Sequence, residues 1–169
     1  MIITDNELTL RNAKPQDAAI LGSWWRDGKV MAHAGFPNGL NITDDEILAQ
    51  IQQSTGLLII EHTNEPIGEM SFRNKGNQTA EIGIKICVEA KKGEGLGTRS
   101  LKMLIAYLFN ELKFERIILD TNVKNIAAQR TYTALGFKEV QVRQDAWIDQ
   151  LGQAQSAIDY ELVPANFRG

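Results

Sequence analysis

Between Ala80 and Leu112 the hydrophobic period of the chain changes, and three glycines mark the place. Ala80 to Ala90 alternates, with Ile82, Ile84, Ile86 and Val88 on one face and Glu81, Gly83, Lys85 and Cys87 on the other, the pattern of a strand with one buried face. From Leu96 the apolar residues Leu101, Leu104, Ile105, Leu108 and Leu112 recur at spacings of three and four, the stripe of an amphipathic helix. Lys91-Lys92-Gly93-Glu94-Gly95-Leu96-Gly97-Thr98 joins the two. Such a joint aims several backbone N–H groups and the positive end of a helix at one point, where an anion is stabilised. Glycines at 93, 95 and 97 admit backbone angles barred to other residues and let a phosphate come close.

Two nucleotide-binding patterns fail on spacing. A Walker loop needs Lys directly after its last glycine, and Lys follows neither Gly95 nor Gly97. A dinucleotide fingerprint needs Gly-x-Gly-x-x-Gly after a wholly apolar strand, whereas these glycines are spaced two and two behind an alternating one.

The rest of the chain reads as short elements with short connections. Leu8 to Arg11 alternates; Pro15 opens a helix carrying Trp24 and Trp25; Gly35 to Gly39 is a loop. Thr43-x-x-Glu46 has the form of a capping box ahead of Ile47, Leu48 and Ile51. Leu57 to His62 and Ile67 to Arg73 form a β-meander closed by the turn Lys75 to Gln78. Arg116 to Asp120 is a strand, Ala127 to Leu135 a helix, and Phe137 to Val142 and Ala157 to Val163 are strands on either side of a turn at Asp149 to Gln155. The class is α+β, with a central, mostly antiparallel mixed sheet of about seven strands flanked by helices. No linker or repeat divides the chain, so residues 1–169 are expected to form a single domain.

Composition narrows the function. Hydrophobic residues make up 43% and charged residues 23%, as in a chain able to bury a core. A net charge of -3 without a basic tract argues against nucleic acid as a partner. Apolar runs such as Gly56 to Ile60 fall far short of the ~20 residues that span a membrane, and the opening Met1-Ile-Ile-Thr-Asp resembles no signal peptide, so no membrane partner and a cytoplasmic location are expected. Cys87 has no cysteine to pair with, and His33 and His62 lack partners at zinc spacing; neither a disulfide nor a metal is expected.

Lys92-x-x-Gly95-x-Gly97 resembles the acetyl-CoA loop, Arg/Gln-x-x-Gly-x-Gly/Ala, of the GCN5-related N-acetyltransferase (GNAT) superfamily, with Lys in place of the first residue. About thirty residues on, Asn125-x-x-Ala128-x-x-x-Tyr132-x-x-x-Gly136-Phe137 reproduces a second pattern of that family in full. The element order is similar to the branch containing ribosomal-protein N-terminal and polyamine or aminoglycoside acetyltransferases. The resemblance implies the GNAT fold and an acetyl-CoA-dependent N-acetyltransferase, an acyltransferase that moves acetyl from its cosubstrate acetyl-CoA to a primary amine on a small molecule or protein N-terminus, by direct attack in a ternary complex. The alternative is a non-catalytic acyl-CoA-binding sensor on the same fold. Members are often dimers, so a homodimer is a further expectation.

The resemblance also implies roles. Lys92, Gly93, Gly95, Leu96, Gly97 and Thr98 would surround the pyrophosphate, the backbone of Ile86, Cys87 and Val88 would pair with the pantetheine, and Asn125 and Ala128 would flank it. Asn125 also stands where a helix cap belongs. Tyr132 would protonate the departing thiolate. An amine with a free pKa near ~10.4 must lose a proton before it attacks, and Glu81, on the polar face of its strand, is the candidate base. Trp25, Phe36 and Trp147 are the candidate acceptor contacts.

Overall fold

Left-handed turn residues set the strand pairing of the N-terminal half. Strands β1 (Ile2–Asp5) and β2 (Leu8–Asn12) are joined through Asn6 at φ 53°, and β3 (Leu57–His62) and β4 (Glu65–Gly76) through Thr63 and Asn64 at φ 54° and 67°. Asn77 and Gln78, at φ 52° and 57°, lead from β4 into β5 (Thr79–Ile86). Paired left-handed residues twist a hairpin in the sense its strands require. The expected meander is present, with β4 running on to Gly76.

The computed structural model describes residues 1–169. With β6 (Arg116–Asn122), β7 (Lys138–Ile148) and β8 (Ala154–Leu162), the strands form one eight-stranded sheet in the order β1-β2-β3-β4-β5-β6-β8-β7. Only β5 and β6 run parallel. The count exceeds the expected seven because of β1, four residues without apolar alternation. The turn lies where expected, but β7 runs on past Val142 to Ile148 and β8 starts at Ala154 rather than Ala157; two register shifts and Asp145 at φ 48° break the alternation of β7.

Helices α1 (Ala18–Trp25), α2 (Gly28–Met31) and α3 (Asp44–Gln53) cover one face, and α4 (Leu96–Asn110) and α5 (Ile126–Leu135) the other. On β3, Leu57 and Ile59 enter the core beneath α1 and α3 while Leu58 and Ile60 enter that beneath α4, so its apolar run is unbroken because both faces are covered. The capping box of α3 forms as expected: the Glu46 N–H donates to Thr43 Oγ1 at 3.2 Å and the Thr43 N–H to Glu46 Oε1 at 3.4 Å. α1 is entered through a 3-10 turn at Pro15–Asp17, where Asp17 accepts two bonds from Arg11 at 2.7 and 2.9 Å.

Two element ends differ from expectation. β5 stops at Ile86, not Ala90, and its register would set Val88 against Pro66, which has no N–H to continue the ladder. The N–H groups of Cys87 and Val88 both turn to the Ile67 carbonyl, at 2.8 and 3.3 Å. α4 ends at Asn110, and Leu112, expected on its apolar stripe, is 42% exposed beside a reversal at Lys113 with φ 60°.

Candidate active site

The parallel ladder between β5 and β6 holds only Thr79, Ala80 and Glu81 against Arg116, Ile117 and Ile118. Beyond Glu81 the two strands part, although β5 stays paired with β4 as far as Ile86 and β6 with β8 as far as Asn122. A sheet that splits in its middle exposes backbone donors and acceptors along both lips, where an extended polar ligand can bind.

At the far end of β5 lies the glycine loop. Gly93 and Gly95 adopt φ 78° and 77°, and a Cβ on either would meet nothing within 4 Å, so the ground before them is open. The N–H groups of Gly93 through Thr98 make no hydrogen bond within the protein. They converge at the N-terminus of α4, whose dipole adds positive potential. Gly97 brings that terminus against β5, its Cβ position lying 3.6 Å from Ile86 Cγ1 and 3.9 Å from Ile84 Cδ1.

A cavity of about 400 Å³ occupies the split. Ile82 and Ile84 line it from one face of β5 and Gly83 and Lys85 from the other, so it passes through the sheet. Asp120, Thr121 and Asn122 of β6 form the opposite lip, and Asn125 and Tyr132 enter from α5. Tyr132 is 7% exposed, its ring tilted against Phe137 and Tyr160 at centroid distances of 5.8 and 5.7 Å. Burial, with Asp120 and Tyr160 adding to it, pushes its hydroxyl up to about 12, so it holds its proton at neutral pH. Asn125 both caps α5, accepting from the Ala128 N–H at 3.2 Å, and lines the cavity.

Glu69 and Asp120 face the cavity with carboxyls held above the usual range. At Glu69 burial raises the value and outweighs the nearby Lys85 cation and a hydrogen bond from the Trp25 indole. At Asp120 burial again leads; Arg143 at 2.9 Å opposes it, and the neighbouring Asp159 and Glu81 charges add to it.

The cavity mouth is bordered by a loop docked on a hairpin tip. His33, Ala34 and Trp147 line it. Gln150 fastens the loop: its N–H donates to the Gly35 carbonyl at 2.9 Å, its side chain donates to the Gly39 carbonyl at 2.9 Å, and it accepts from the Asn38 N–H at 2.8 Å.

Residues 7–138 match the model of the acetyltransferase (GNAT) domain. The chain belongs to the GNAT acetyltransferase family. As such it is an acetyl-CoA-dependent N-acetyltransferase. It is 25% identical to the uncharacterized N-acetyltransferase p20 of Bacillus licheniformis, over 78% of this chain and 79% of that protein. It is also 25% identical to YdaF of Bacillus subtilis (strain 168), provisionally named a ribosomal N-acetyltransferase, over 98% of this chain and 96% of that one. The fold is shared with a spermidine N-acetyltransferase from Vibrio cholerae solved with CoA and spermine, at a TM-score of 0.83 and 20% identity over 96% of this chain and 98% of that one. RimL, a ribosomal L7/L12 α-N-protein acetyltransferase solved with coenzyme A, gives the same TM-score, identity and coverage. The ribosomal and spermidine names among these fall in the branch that the sequence resembles.

In this GNAT domain the residues singled out from sequence are distributed unevenly. Tyr132, Asn125 and Trp147 line the cavity. Lys92 stands at the loop, paired with Glu89 at 3.0 Å, while Leu96 is buried beneath it and Thr98 lies in the first turn of α4. Ile86 and Val88 pack on the α4 side, whereas the Cys87 side chain enters the opposite core beside Trp25. Ala128, in the first turn of α5, packs half-buried against the core. Trp25 is 6% exposed and reaches the cavity only through its bond to Glu69, and Phe36 packs into the core of α1 and α3. Glu81 is bound to Arg73 and faces a second cavity, with Arg143 and Asp159, beyond Asp120. Glu69, Lys85, Ser71 and Asp120 were not singled out as site residues; the sign that Glu69, Ser71 and Lys85 carried was a polar side chain in the alternation of β4 and β5, and Asp120 on β6 carried only its charge at the end of an apolar run.

Proposed function

We propose that this acetyltransferase moves acetyl from acetyl-CoA to a primary amine by direct attack, with both substrates held across the split between β5 and β6. The observation that carries the reading is Tyr132, a buried and protonated hydroxyl inside the split, with the unpaired N–H groups of the loop at Gly93 to Thr98 beyond the end of β5. The loop and the α4 dipole receive the pyrophosphate. The free lip of β5 receives the pantetheine amides and holds the thioester carbonyl, while Asn125 and Ala128 bound its path. Acetyl-CoA supplies the activated acetyl group. Tyr132 gives its proton to the sulfur as the C–S bond breaks.

The acceptor enters from the mouth between His33 and Trp147, toward Glu69 and Asp120. Two carboxylates there favour a cationic amine, as do the names of the spermidine and ribosomal-protein acetyltransferases that share the fold. A binding-only domain would have no need of a tyrosine hydroxyl at this place.

The test is release of coenzyme A from acetyl-CoA, read by thiol detection, across polyamines, aminoglycosides, amino acids and peptide N-termini. Acceptor-dependent release that falls ~10² to 10⁴-fold in Tyr132→Phe is the expected result. Acetyl-CoA binding without release for any acceptor overturns transfer in favour of a sensor, and absence of binding overturns the reading of the loop.

A further inference from the structure

Glu69 occupies an unusual place for a carboxylate. It stands on β4 opposite Lys85 of β5, both pointing to the face that carries α1 to α3, and next to Ser71 and Gly83, whose lack of a side chain leaves the cavity floor open. A Cβ at Gly83 would sit 3.2 Å from Ser71 Oγ, so a side chain there would crowd the path between Glu69 and the β6 lip. The carboxylate accepts one hydrogen bond, from the indole N–H of Trp25, and no ion pair claims it. Lys85 itself donates to the Met31 sulfur at 3.2 Å. The charged and titratable groups around Glu69 are Lys85 from β5 and Cys87 just beyond its end, His33 from the segment after α2, Asp120 across the split from β6 and Tyr132 from α5.

Glu81 is differently placed. The Arg73 guanidinium holds it, it lies in the last paired position before the strands part, and it opens on the second cavity. It does not line the cavity that Tyr132 enters.

We infer that Glu69 takes the proton from the acceptor ammonium, with Trp25 as a positioning residue that holds the carboxylate toward the cavity. The assignment rests on the amine-acetylation reading. The ammonium gives one proton to Glu69, and the freed nitrogen forms the C–N bond to the thioester carbonyl carbon. As the C–S bond breaks, the sulfur keeps its electron pair and takes a proton from Tyr132. The second proton lost by nitrogen restores Tyr132, and Glu69 releases the first to solvent, so one proton and one free thiol appear per amide formed. A carboxyl already raised by burial is better matched to this exchange near neutral pH than a solvated one.

The experiment measures kcat/KM against pH for the best acceptor of the panel, in the wild type and in Glu69→Gln, Glu69→Asp, Glu81→Gln and Trp25→Phe. Acetyl-CoA affinity and circular dichroism are read on each protein. The expected result for Glu69→Gln is a kcat lower by about 100-fold at pH 7, recovery toward the wild type as pH rises to ~9.5 and the free amine accumulates, and unchanged acetyl-CoA affinity. Trp25→Phe is expected to move the acid limb of the profile while leaving acetyl-CoA affinity alone. If Glu81→Gln and not Glu69→Gln removes the acid limb, Glu69 is not the base. If Glu69→Gln is folded and fully active, the inference falls while transfer stands. If Tyr132→Phe and Glu69→Gln are both as active as the wild type, the reading of the site falls as well.

Discussion

Trp147 lies over Gly35 so closely that a Cβ on the glycine would stand 2.2 Å from the Cζ3 of its ring. Gly35 is also left-handed, at φ 96°, a region that costs other residues about 1–2 kcal/mol. Gly35→Ala is therefore expected to displace the indole and loosen the loop that Gln150 fastens. Urea denaturation should show a loss of about 1–2 kcal/mol. The KM for the acceptor should rise while acetyl-CoA affinity holds, and an unchanged acceptor KM would separate Trp147 from the acceptor wall.

Cys87 provides a second check. Burial first, then the Glu69 charge, push its thiol up to about 12, against the weaker pull of Lys85 and Lys92. At pH 7 the thiolate fraction is on the order of 10⁻⁵. A thiol reagent should label the folded protein no faster than it unfolds and label the denatured protein at once. Rapid labelling of the native state would mean that Cys87 opens to solvent.

At the entry to α1 the charge pair of Arg11 and Asp17 makes stability depend on pH. Burial opposes the Asp17 charge, but the Arg11 guanidinium and the Lys14 N–H outweigh it and hold the carboxyl below the usual range. A carboxyl depressed in the fold contributes stability that is present above its unfolded value, near 3.8, and lost as pH falls through the lower folded value. Denaturation midpoints should thus drop below about pH 4, and less so in Asp17→Asn. That variant should lose about 2 kcal/mol at pH 7, as a hydrogen bond to a charged group does, with Glu61 at 3.3 Å from Arg11 limiting the damage.

Gly95→Ala tests the loop without a steric clash, since its Cβ would meet nothing within 4 Å. The left-handed angle of 77° alone should cost about 1–2 kcal/mol, relieved by a backbone shift that turns N–H groups away from their common point. Calorimetry should show weaker coenzyme A binding. Unaltered binding would place the pyrophosphate elsewhere.

Signals local in sequence carried most of the fold. The Thr43 and Glu46 box, the left-handed turn at Asn64 and the stripe from Leu101 to Leu108 each lie within a few residues and depend on backbone rules alone. β1 left no trace because four mostly exposed residues bury too little to alternate, and β7 ran past its expected end because two register shifts disturb its period. In the site, Asn125 and Tyr132 were legible through their shared helix. Glu69 was not, because the residue that holds it, Trp25, is 44 positions away. Glu81 drew attention as a polar residue on the right strand, but periodicity says nothing of where β5 and β6 part, and they part just after it.

Every strand before the glycine loop lies on one side of that parting and every strand after it on the other. Within the sheet, the two halves of the chain touch along three residue pairs. A ligand lying in the gap acts as a splint between them, and its affinity is also a contribution to folding stability. Saturating coenzyme A should raise the melting temperature and slow amide exchange on both lips together, at Ile82 to Ile86 and at Asp120 to Asn122, although these stretches stand more than thirty residues apart in the chain.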